Sequence, residues 1–323
     1  MRNNGQASRL EGVLGIWKPA GWTSHDVVAK ARRILRVKRI GHTGTLDPAV
    51  TGVLPICIGR ATRMVEYLQE KPKAYEAVLR FGIATDTQDL DGEVVERADA
   101  SHLTEERIRD AALSFVGDIE QVPPMVSAVK VGGKRLYELA RQGVTVERKP
   151  RPVTIHRLDV LRIDASGPYP EIGFSVRCSK GTYIRTLCVD IGRKLGVPAV
   201  MASLVRTESA GLTASDCVTI EQLAELQAEG RLAERLIAAD RLLGEMPDAQ
   251  APELPAMHAL QGKPVAAGRL RPKPDKPGLW RLYREADGAF LGLFEKPEGD
   301  SSLRPVKVFH PSEDEGRQTT GQR

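Results

Sequence analysis

The stretch GHTGTLDPAVTGVL, residues 41–54, is the most informative part of the sequence. It carries three glycines, a proline and one acid between two segments with regular apolar patterns. Glycines permit strained turns and let a ligand approach the backbone closely. Pro48 restricts Asp47 to an extended backbone conformation and so fixes where its carboxylate points. The stretch is not a phosphate-binding P-loop, because the lysine of G-x-x-x-x-G-K-[ST] is missing. On residue chemistry alone, Asp47 is either a turn-forming residue or a catalytic acid.

Regular elements are predicted on both sides of this loop. Helices are predicted after a cap at Thr23 or Ser24, over residues 61–68, after Thr104 with Gly117 as the stop, over residues 183–195 with Gly196 as the stop, and after a capping box at Thr219. Strands are predicted over residues 14–17, 53–58, 75–81, 153–163 and 172–178. Because strands and helices mix without strict βαβ alternation, the pattern predicts an α+β fold.

The sequence changes character after about Glu245. Proline and glycine become frequent, and short β-like segments follow at residues 280–283, 289–294 and 306–309. This pattern predicts a small β-barrel domain. The predicted organisation is a flexible N-terminus (1–10), a main α+β domain (11–245), the small barrel (250–311) and a disordered tail (312–323).

The charge distribution favours a polyanionic partner. The chain of 323 residues has a net charge of +5 and a pI of about 9.0. Residues 130–162 hold nine Lys and Arg, beginning with Lys130, against three Asp and Glu. Concentrated basic segments of this kind bind phosphates, although a solvated surface loop gives the same pattern.

Other classes of protein are disfavoured by composition. No apolar run approaches the ~18–20 residues that a membrane span needs. Residues 1–6 are polar with no apolar signal core behind them, so secretion is not predicted. The four cysteines form no C-x-x-C pair and are expected to be reduced, as in a cytoplasmic protein. Asp86, Asp89 and Asp91 do not fit the register of a calcium loop, so no metal site is expected.

Residues 41–59 resemble the signature of the TruB family of tRNA pseudouridine synthases. Further motifs of that family match in order: KPAGWTS at residues 18–24, KAY at 73–75, GIATDTQDLDG at 82–92, a region like the mobile thumb loop at about 122–151, and CSKGTYIR at 178–185. The match covers roughly residues 12–215. Val205 departs from it, because an arginine is common there.

The resemblance implies a fold, a reaction and a set of site residues. The fold is a mixed, largely antiparallel central sheet with flanking helices, followed by a PUA-like barrel. The reaction isomerises a uridine to pseudouridine at position 55 in the T-loop of tRNA, and it needs neither cofactor nor metal. Asp47 is the catalytic aspartate, Arg185 pairs with it, and Tyr75 stacks on the flipped uracil. His42 inserts where the base has left the stack, and Leu204 lines the uracil pocket. Further candidates for substrate contact or support are Lys18, Asp89, Lys130, Tyr183 and Arg206.

Two other functions remain open at this level. A guide-RNA-dependent pseudouridine synthase shares the catalytic residues, but the continuous basic thumb favours a stand-alone enzyme that needs no guide RNA. An RNA chaperone without chemistry would not require Asp47, Tyr75 and Arg185 together. A monomer is the default expectation, since one basic face can hold one tRNA.

Overall fold

The computed structural model describes residues 10–310, apart from 128–129, 132, 137–138, 140–141, 143 and 145. The predicted tail at 312–323 and nearly all of the predicted flexible N-terminus lie outside the described residues, as does part of the thumb. The helices are α1 (Ser24–Leu35), α2 (Val65–Glu70), α3 (Glu105–Leu113), α4 (Ile184–Leu195), α5 (Ile220–Ala228) and α6 (Glu253–Leu260).

The strands up to residue 218 are β1 (Gly12–Lys18), β2 (Ile40–His42), β3 (Thr51–Ile58), β4 (Lys73–Phe81), β5 (Ile83–Thr85), β6 (Val94–Arg97), β7 (Gly117–Gln121), β8 (Lys130–Val131), β9 (Lys134–Arg135), β10 (Arg151–Asp164), β11 (Glu171–Cys178), β12 (Ala199–Ser209), β13 (Leu212–Thr213) and β14 (Cys217–Val218). They are followed by β15 (Asp248–Ala251), β16 (Val265–Ala266), β17 (Gly278–Arg284), β18 (Phe290–Lys296) and β19 (Ser302–Val308).

The central sheet has ten strands in the order β14-β1-β3-β12-β4-β11-β10-β7, with β2 on β3 and β13 on β12. The β1–β14 and β3–β12 pairs are parallel, and the other pairs are antiparallel. The predicted mixed, largely antiparallel sheet is therefore confirmed. Strand β12 lies between β3 and β4, so it brings the loop before β3 close to the start of β4.

Helices pack against the sheet in two groups. Helices α3 and α4 pack mainly on β10 and β12, in a core that includes Phe81, Phe174 and Ile191. At the β1–β3 end, α1 and α5 pack through Val27, Leu54 and Leu223. Strand β3 reads as a continuous apolar run because its alternate residues enter two different cores.

Most predicted helix ends are confirmed. Thr23 forms a capping box at the start of α1, and Gly196 ends α4 with a φ of +77°. The predicted end of α3 at Gly117 is wrong. The helix stops at Leu113, where the Ser114 hydroxyl donates to a carbonyl of the last turn, and Gly117 instead begins β7. The predicted helix over residues 61–68 is divided into a 3-10 segment, Gly59–Met64, and α2.

The C-terminal segments form a separate five-stranded sheet in the order β15-β17-β18-β19-β16. It curls around its own core, which includes Trp280 and Phe294, and it is consistent with the predicted PUA-like barrel. The sheet also packs on the catalytic region. Arg63 lies 4.9 Å over the Phe309 ring, and Lys307 pairs with Glu66 at 2.7 Å.

Candidate active site

Asp47 lies in the loop between β2 and β3, and neighbouring backbone contacts fix this loop. The Ser24 hydroxyl accepts the N–H of Leu46 at 2.8 Å. The N–H of Gly21 donates to the Pro48 carbonyl at 2.9 Å. Both contacts come from the segment that joins β1 to α1. The two motifs at residues 18–24 and 41–54 therefore form one structural unit around the candidate catalytic carboxylate.

Lys18 supports this loop from below. Its Nζ atom donates to the carbonyls of Trp22, Pro19 and Pro48 at 2.6, 2.8 and 3.0 Å. The residue is fully buried, and this burial lowers its pKa to about 8, while the charge of Asp47 opposes the shift. The structure thus places Lys18 behind the Asp47 loop, where it makes no surface for a substrate.

The predicted ion pair between Arg185 and Asp47 is present. Arg185 Nη2 lies 3.0 Å from Asp47 Oδ2, and Nη1 lies 3.6 Å from Asp89 Oδ2. The same guanidinium donates to the carbonyls of Thr87 at 2.9 Å and Val126 at 2.8 Å. The Arg185 side chain is only 5% exposed, so these four acceptors satisfy a buried cation. Asp89 is therefore a second acid in the network.

The charge of Asp47 is set by opposing effects. Burial raises the pKa of its carboxyl above the usual range, Arg185 and Lys18 lower it, and Asp89 raises it again. The net direction is upward, so pairing with Arg185 does not fully offset burial. The Asp47 side chain nevertheless keeps 41% of its surface exposed, at the mouth of the pocket. The carboxyl is thus held by Arg185 on one side and is open to a substrate on the other.

A pocket of about 390 Å³ lies in front of Asp47. The predicted residues that line it with Asp47 are Tyr75, Tyr183, Arg185, Leu204 and Arg206. Tyr75 and Arg206 are directly opposite each other on the antiparallel strands β4 and β12. Burial raises the pKa of the Tyr75 phenol. The structure thus brings together one carboxylate, two cations, two tyrosines and an apolar wall.

Among the predicted residues whose side chains the structure describes, Lys18, Asp89 and His42 do not line this pocket. His42 lies at the end of β2, where its Nδ1 accepts the N–H of Gly44 at 3.2 Å, and burial lowers its pKa. This keeps the imidazole uncharged at neutral pH. Lys130 belongs to β8, and its side chain lies outside the described residues. Val205, the departure from the family pattern, pairs with Thr51 on β3.

Sequence reasoning did not single out Gln121, which secures the start of α4. Its side chain is 1% exposed and pairs with the backbone of Tyr183, accepting the N–H at 3.0 Å and donating to the carbonyl at 3.2 Å. Tyr183 precedes α4, which lacks a side-chain cap. Gln121 thus links the root of the thumb to the helix that carries Arg185. Only its position before Pro123 could have suggested this role.

A basic surface on α1 was also not singled out. No Asp or Glu occurs between residues 27 and 46. The six cations in this segment are all exposed: Lys30, Arg32, Arg33, Arg36, Lys38 and Arg39. By contrast, the described part of the predicted basic segment at residues 130–162 is partly neutralised, since Arg157 pairs with Asp159. The uninterrupted run of charge leading to His42 was the available signal.

Within the described ranges, no group of three or more His, Cys, Asp or Glu side chains is arranged to hold a metal ion. In the same part of the chain, no helix is long and apolar enough to cross a membrane. All four cysteines belong to this part and are free thiols.

Comparison with solved structures defines the class. The crystal structure of a Cbf5-Nop10-Gar1 complex contains a chain that matches with a TM-score of 0.72 and 26% identity, over 93% of this chain and 85% of that one. A chain in the structure of an H/ACA RNP bound to a substrate RNA containing 2′-deoxyuridine matches with a TM-score of 0.71 and 24% identity, over 93% and 85%. The fold is therefore that of the pseudouridine synthases.

Sequence comparison then gives the family. The model for the TruB family pseudouridylate synthase N-terminal domain matches residues 32–184, and that for the tRNA pseudouridylate synthase B C-terminal domain matches residues 185–244. A tRNA pseudouridine synthase B from Symbiobacterium thermophilum is 57% identical over 244 residues, covering 76% of this chain and 79% of the relative. One from Bacillus pumilus is 46% identical over 312 residues, covering 93% and 98%. The chain belongs to the TruB family of pseudouridylate synthases, which are isomerases.

Proposed function

We propose that this enzyme converts the uridine at position 55 in the T-loop of tRNA to pseudouridine. The observation that carries the proposal is the Arg185–Asp47 ion pair at the mouth of a pocket lined by Tyr75 and Leu204. Its relatives are tRNA pseudouridine synthases B, and this supports tRNA as the substrate.

The reaction exchanges one bond for another without oxidation or hydrolysis. The N1–C1′ bond breaks, C5 of the uracil bonds to C1′, C5 loses its proton, and N1 gains one. Asp47 is the group we assign to the first step, either by attack on the nucleoside or by assisting cleavage of the glycosidic bond. Arg185 orients the carboxylate and balances its charge. The chemistry requires neither a metal nor a cofactor.

The target base must leave the RNA stack before it can reach Asp47. We assign the stacking platform to Tyr75 and the apolar wall of the uracil site to Leu204. Tyr183 and Arg206 complete the lining. His42, uncharged and near the catalytic loop, is assigned to the space that the flipped base leaves. Tyr75 is also the candidate for receiving the C5 proton, because its phenol would lie beside the flipped ring.

The RNA would be held by two basic regions and the C-terminal barrel. We assign phosphate contacts to the exposed cations of α1, which precede the catalytic loop in the chain, and to the exposed thumb residues Lys149 and Arg151. We propose that residues 11–245 form the catalytic domain and that residues 250–311 form an RNA-binding barrel for the acceptor-arm side of tRNA. Exposed cations in the barrel, including Lys273 and Lys276, support that role.

A stand-alone enzyme is favoured over a guided one. The relatives in the family comparison bear the name tRNA pseudouridine synthase B, and the Bacillus pumilus chain matches over 98% of its length. We further propose that the protein acts in the cytoplasm as a monomer. A chaperone activity that folds tRNA can coexist with catalysis, and it would survive loss of Asp47.

The test is release of tritium from an unmodified T-arm hairpin labelled at uracil C5, without added metal or cofactor. We expect release by the wild type and none by Asp47→Ala, with hairpin affinity retained in both. Asp190→Asn is the matched control, because Asp190 is a partly buried aspartate on α4 that pairs with Arg193 outside the pocket. Tight hairpin binding with no release by the wild type would show that the assigned chemistry is wrong.

A further inference from the structure

Arg206 is a buried cation that has no carboxylate partner among the described residues. Its exposed fraction is 1%. The guanidinium donates from Nε to the Val53 carbonyl at 2.7 Å, from Nη2 to that of Gly44 at 3.2 Å, and from Nη1 to that of Thr45 at 3.4 Å. Burying an unpaired charge costs free energy. Its presence here therefore indicates a role that requires the charge. Surface RNA binding cannot be that requirement, because the side chain does not reach the surface.

The carbonyls that Arg206 binds belong to both ends of the catalytic loop. Gly44 and Thr45 precede Asp47, and Val53 follows it in β3. One rigid guanidinium therefore holds the two ends of the loop together. Arg206 thus contributes to the position of Asp47 without contacting it.

The same guanidinium faces Tyr75. The two residues are cross-strand partners on β12 and β4 and both line the pocket, and the charge of the guanidinium lowers the pKa of the phenol. The other groups that influence the phenol are Asp47 from the catalytic loop and the Cys178 thiol from β11. Burial raises the pKa of that thiol to about 11, so it is uncharged at neutral pH. Lys73, on the same strand as Tyr75, directs its Nζ to the carbonyls of Gln69 and Lys71.

We propose that Arg206 is a positioning residue that acts through Tyr75, orienting the phenol toward the flipped uracil and balancing the negative charge of its oxygen. The inference rests on the proposed role of Tyr75 in the last step. There the C5–H bond breaks, its electron pair restores the C5–C6 double bond, and the proton passes to the Tyr75 oxygen. That oxygen has first released its own proton to water. The positive charge of the neighbouring guanidinium makes this release easier in a site where burial opposes it.

The test compares Arg206→Gln and Arg206→Lys, each alone and combined with Tyr75→Phe, in single-turnover tritium release from the labelled hairpin. Glutamine keeps an N–H donor for the loop carbonyls but removes the charge, and lysine keeps the charge. We expect Arg206→Gln to slow release by about 10²-fold and Arg206→Lys to recover part of that loss. In the Tyr75→Phe background, Arg206→Gln should add no more than about a twofold loss.

A second readout separates electrostatics from folding. Replacing all tyrosines by 3-fluorotyrosine, whose phenol is more acidic, should restore part of the rate of Arg206→Gln. It should not restore the rate of the variant that also carries Tyr75→Phe. A purely structural role for Arg206 would not respond to the acidity of a phenol. If Arg206→Gln does not fold, Arg206→Lys must show the same fluorotyrosine rescue.

The outcomes that overturn the inference are distinct from failure of the proposed function. Equal losses from Arg206→Gln in both Tyr75 backgrounds, or no fluorotyrosine rescue, overturn the inference alone. Full turnover by Tyr75→Phe also overturns it, while leaving the isomerase activity in place. No tritium release by the wild type overturns the proposed function, and this inference with it.

Discussion

Arg185 lies 3.0 Å from Asp47 although it stands in the first turn of α4, where the helix dipole opposes a cation. Three further acceptors compensate for this position: the Thr87 carbonyl, the Val126 carbonyl and the Asp89 carboxylate. The Val126 carbonyl belongs to the first part of the predicted thumb, residues 122–151. The conformation of the thumb root and the orientation of the catalytic ion pair are therefore linked through one guanidinium.

Replacing Arg185 by lysine should impair catalysis much more than RNA binding. A single ammonium group cannot reach two carboxylates and two carbonyls that a planar guanidinium satisfies at once. Leaving such groups unpaired costs about 2–4 kcal/mol, or about 30- to 1000-fold in rate. We expect a fall in kcat with hairpin affinity within about threefold of the wild type. The control is Arg193→Lys on the same helix, whose side chain is 75% exposed and pairs only with Asp190. Similar losses for both variants would contradict the assigned role.

Replacing Lys18 by methionine should alter how stability depends on pH. Burial lowers the pKa of Lys18 to about 8 in the folded protein, whereas a lysine in the unfolded chain titrates near 10.5. Between these values the unfolded state binds more protons, so this group makes stability rise with pH. The stability of the wild type relative to Lys18→Met should therefore increase from pH 8 to pH 10.5, by up to about 3 kcal/mol.

The measurement for Lys18 is urea unfolding of both proteins at several pH values in that window. Buried thiols such as Cys57, whose pKa is raised to about 12, change stability in the opposite direction. They are common to both proteins, so only the difference between wild type and variant is informative. A difference that stays constant with pH would show that Lys18 titrates normally in the folded state.

Gly52→Ala should destabilise the protein severely. A methyl group at this position would lie 2.2 Å from the carbonyl oxygen of Arg206 and 2.7 Å from its nitrogen, where β3 pairs with β12. Both atoms are backbone, so the two strands would have to separate. We expect a loss of more than about 4 kcal/mol. Gly230→Ala is the control, because Gly230 also has a positive φ, +72°, but no atom lies within 4 Å. It should lose only about 1 kcal/mol. Equal losses of stability in the two variants would mean that the positive φ, not the contact between β3 and β12, causes the destabilisation.

Reversing charge on α1 should weaken RNA binding without affecting the chemical step. Arg32→Glu combined with Arg33→Glu removes two exposed cations from the last turn of α1. Each lost phosphate contact reduces the slope of log affinity against log salt by about 0.7–0.9. Filter binding of the full tRNA at several salt concentrations measures this slope. Arg231→Glu is the control, since Arg231 is exposed but already pairs with Glu229 and Glu234. An unchanged slope in the α1 variant would exclude that surface from the RNA path.

Short stretches of the sequence determined the ends of several helices. The capping box at Thr23 and the glycine after α4 mark helix ends because their hydrogen bonds and dihedral angles involve only nearby residues. The alternation in β4 predicted which of its residues are buried. The motifs around Asp47, Tyr75 and Arg185 were sufficient to identify the family.

Tertiary structure alone decided how those residues are supported. Lys18 reaches Pro48 across 30 positions, Gln121 reaches Tyr183 across 62, and Arg206 reaches Gly44 across 162. No local pattern specifies such contacts, because they exist only once distant strands have paired and excluded water. Burial then gives each of these polar groups its importance, since a buried donor or acceptor must find a partner in the protein. The same packing raised the pKa of Asp47 and made Arg206 a buried cation facing Tyr75.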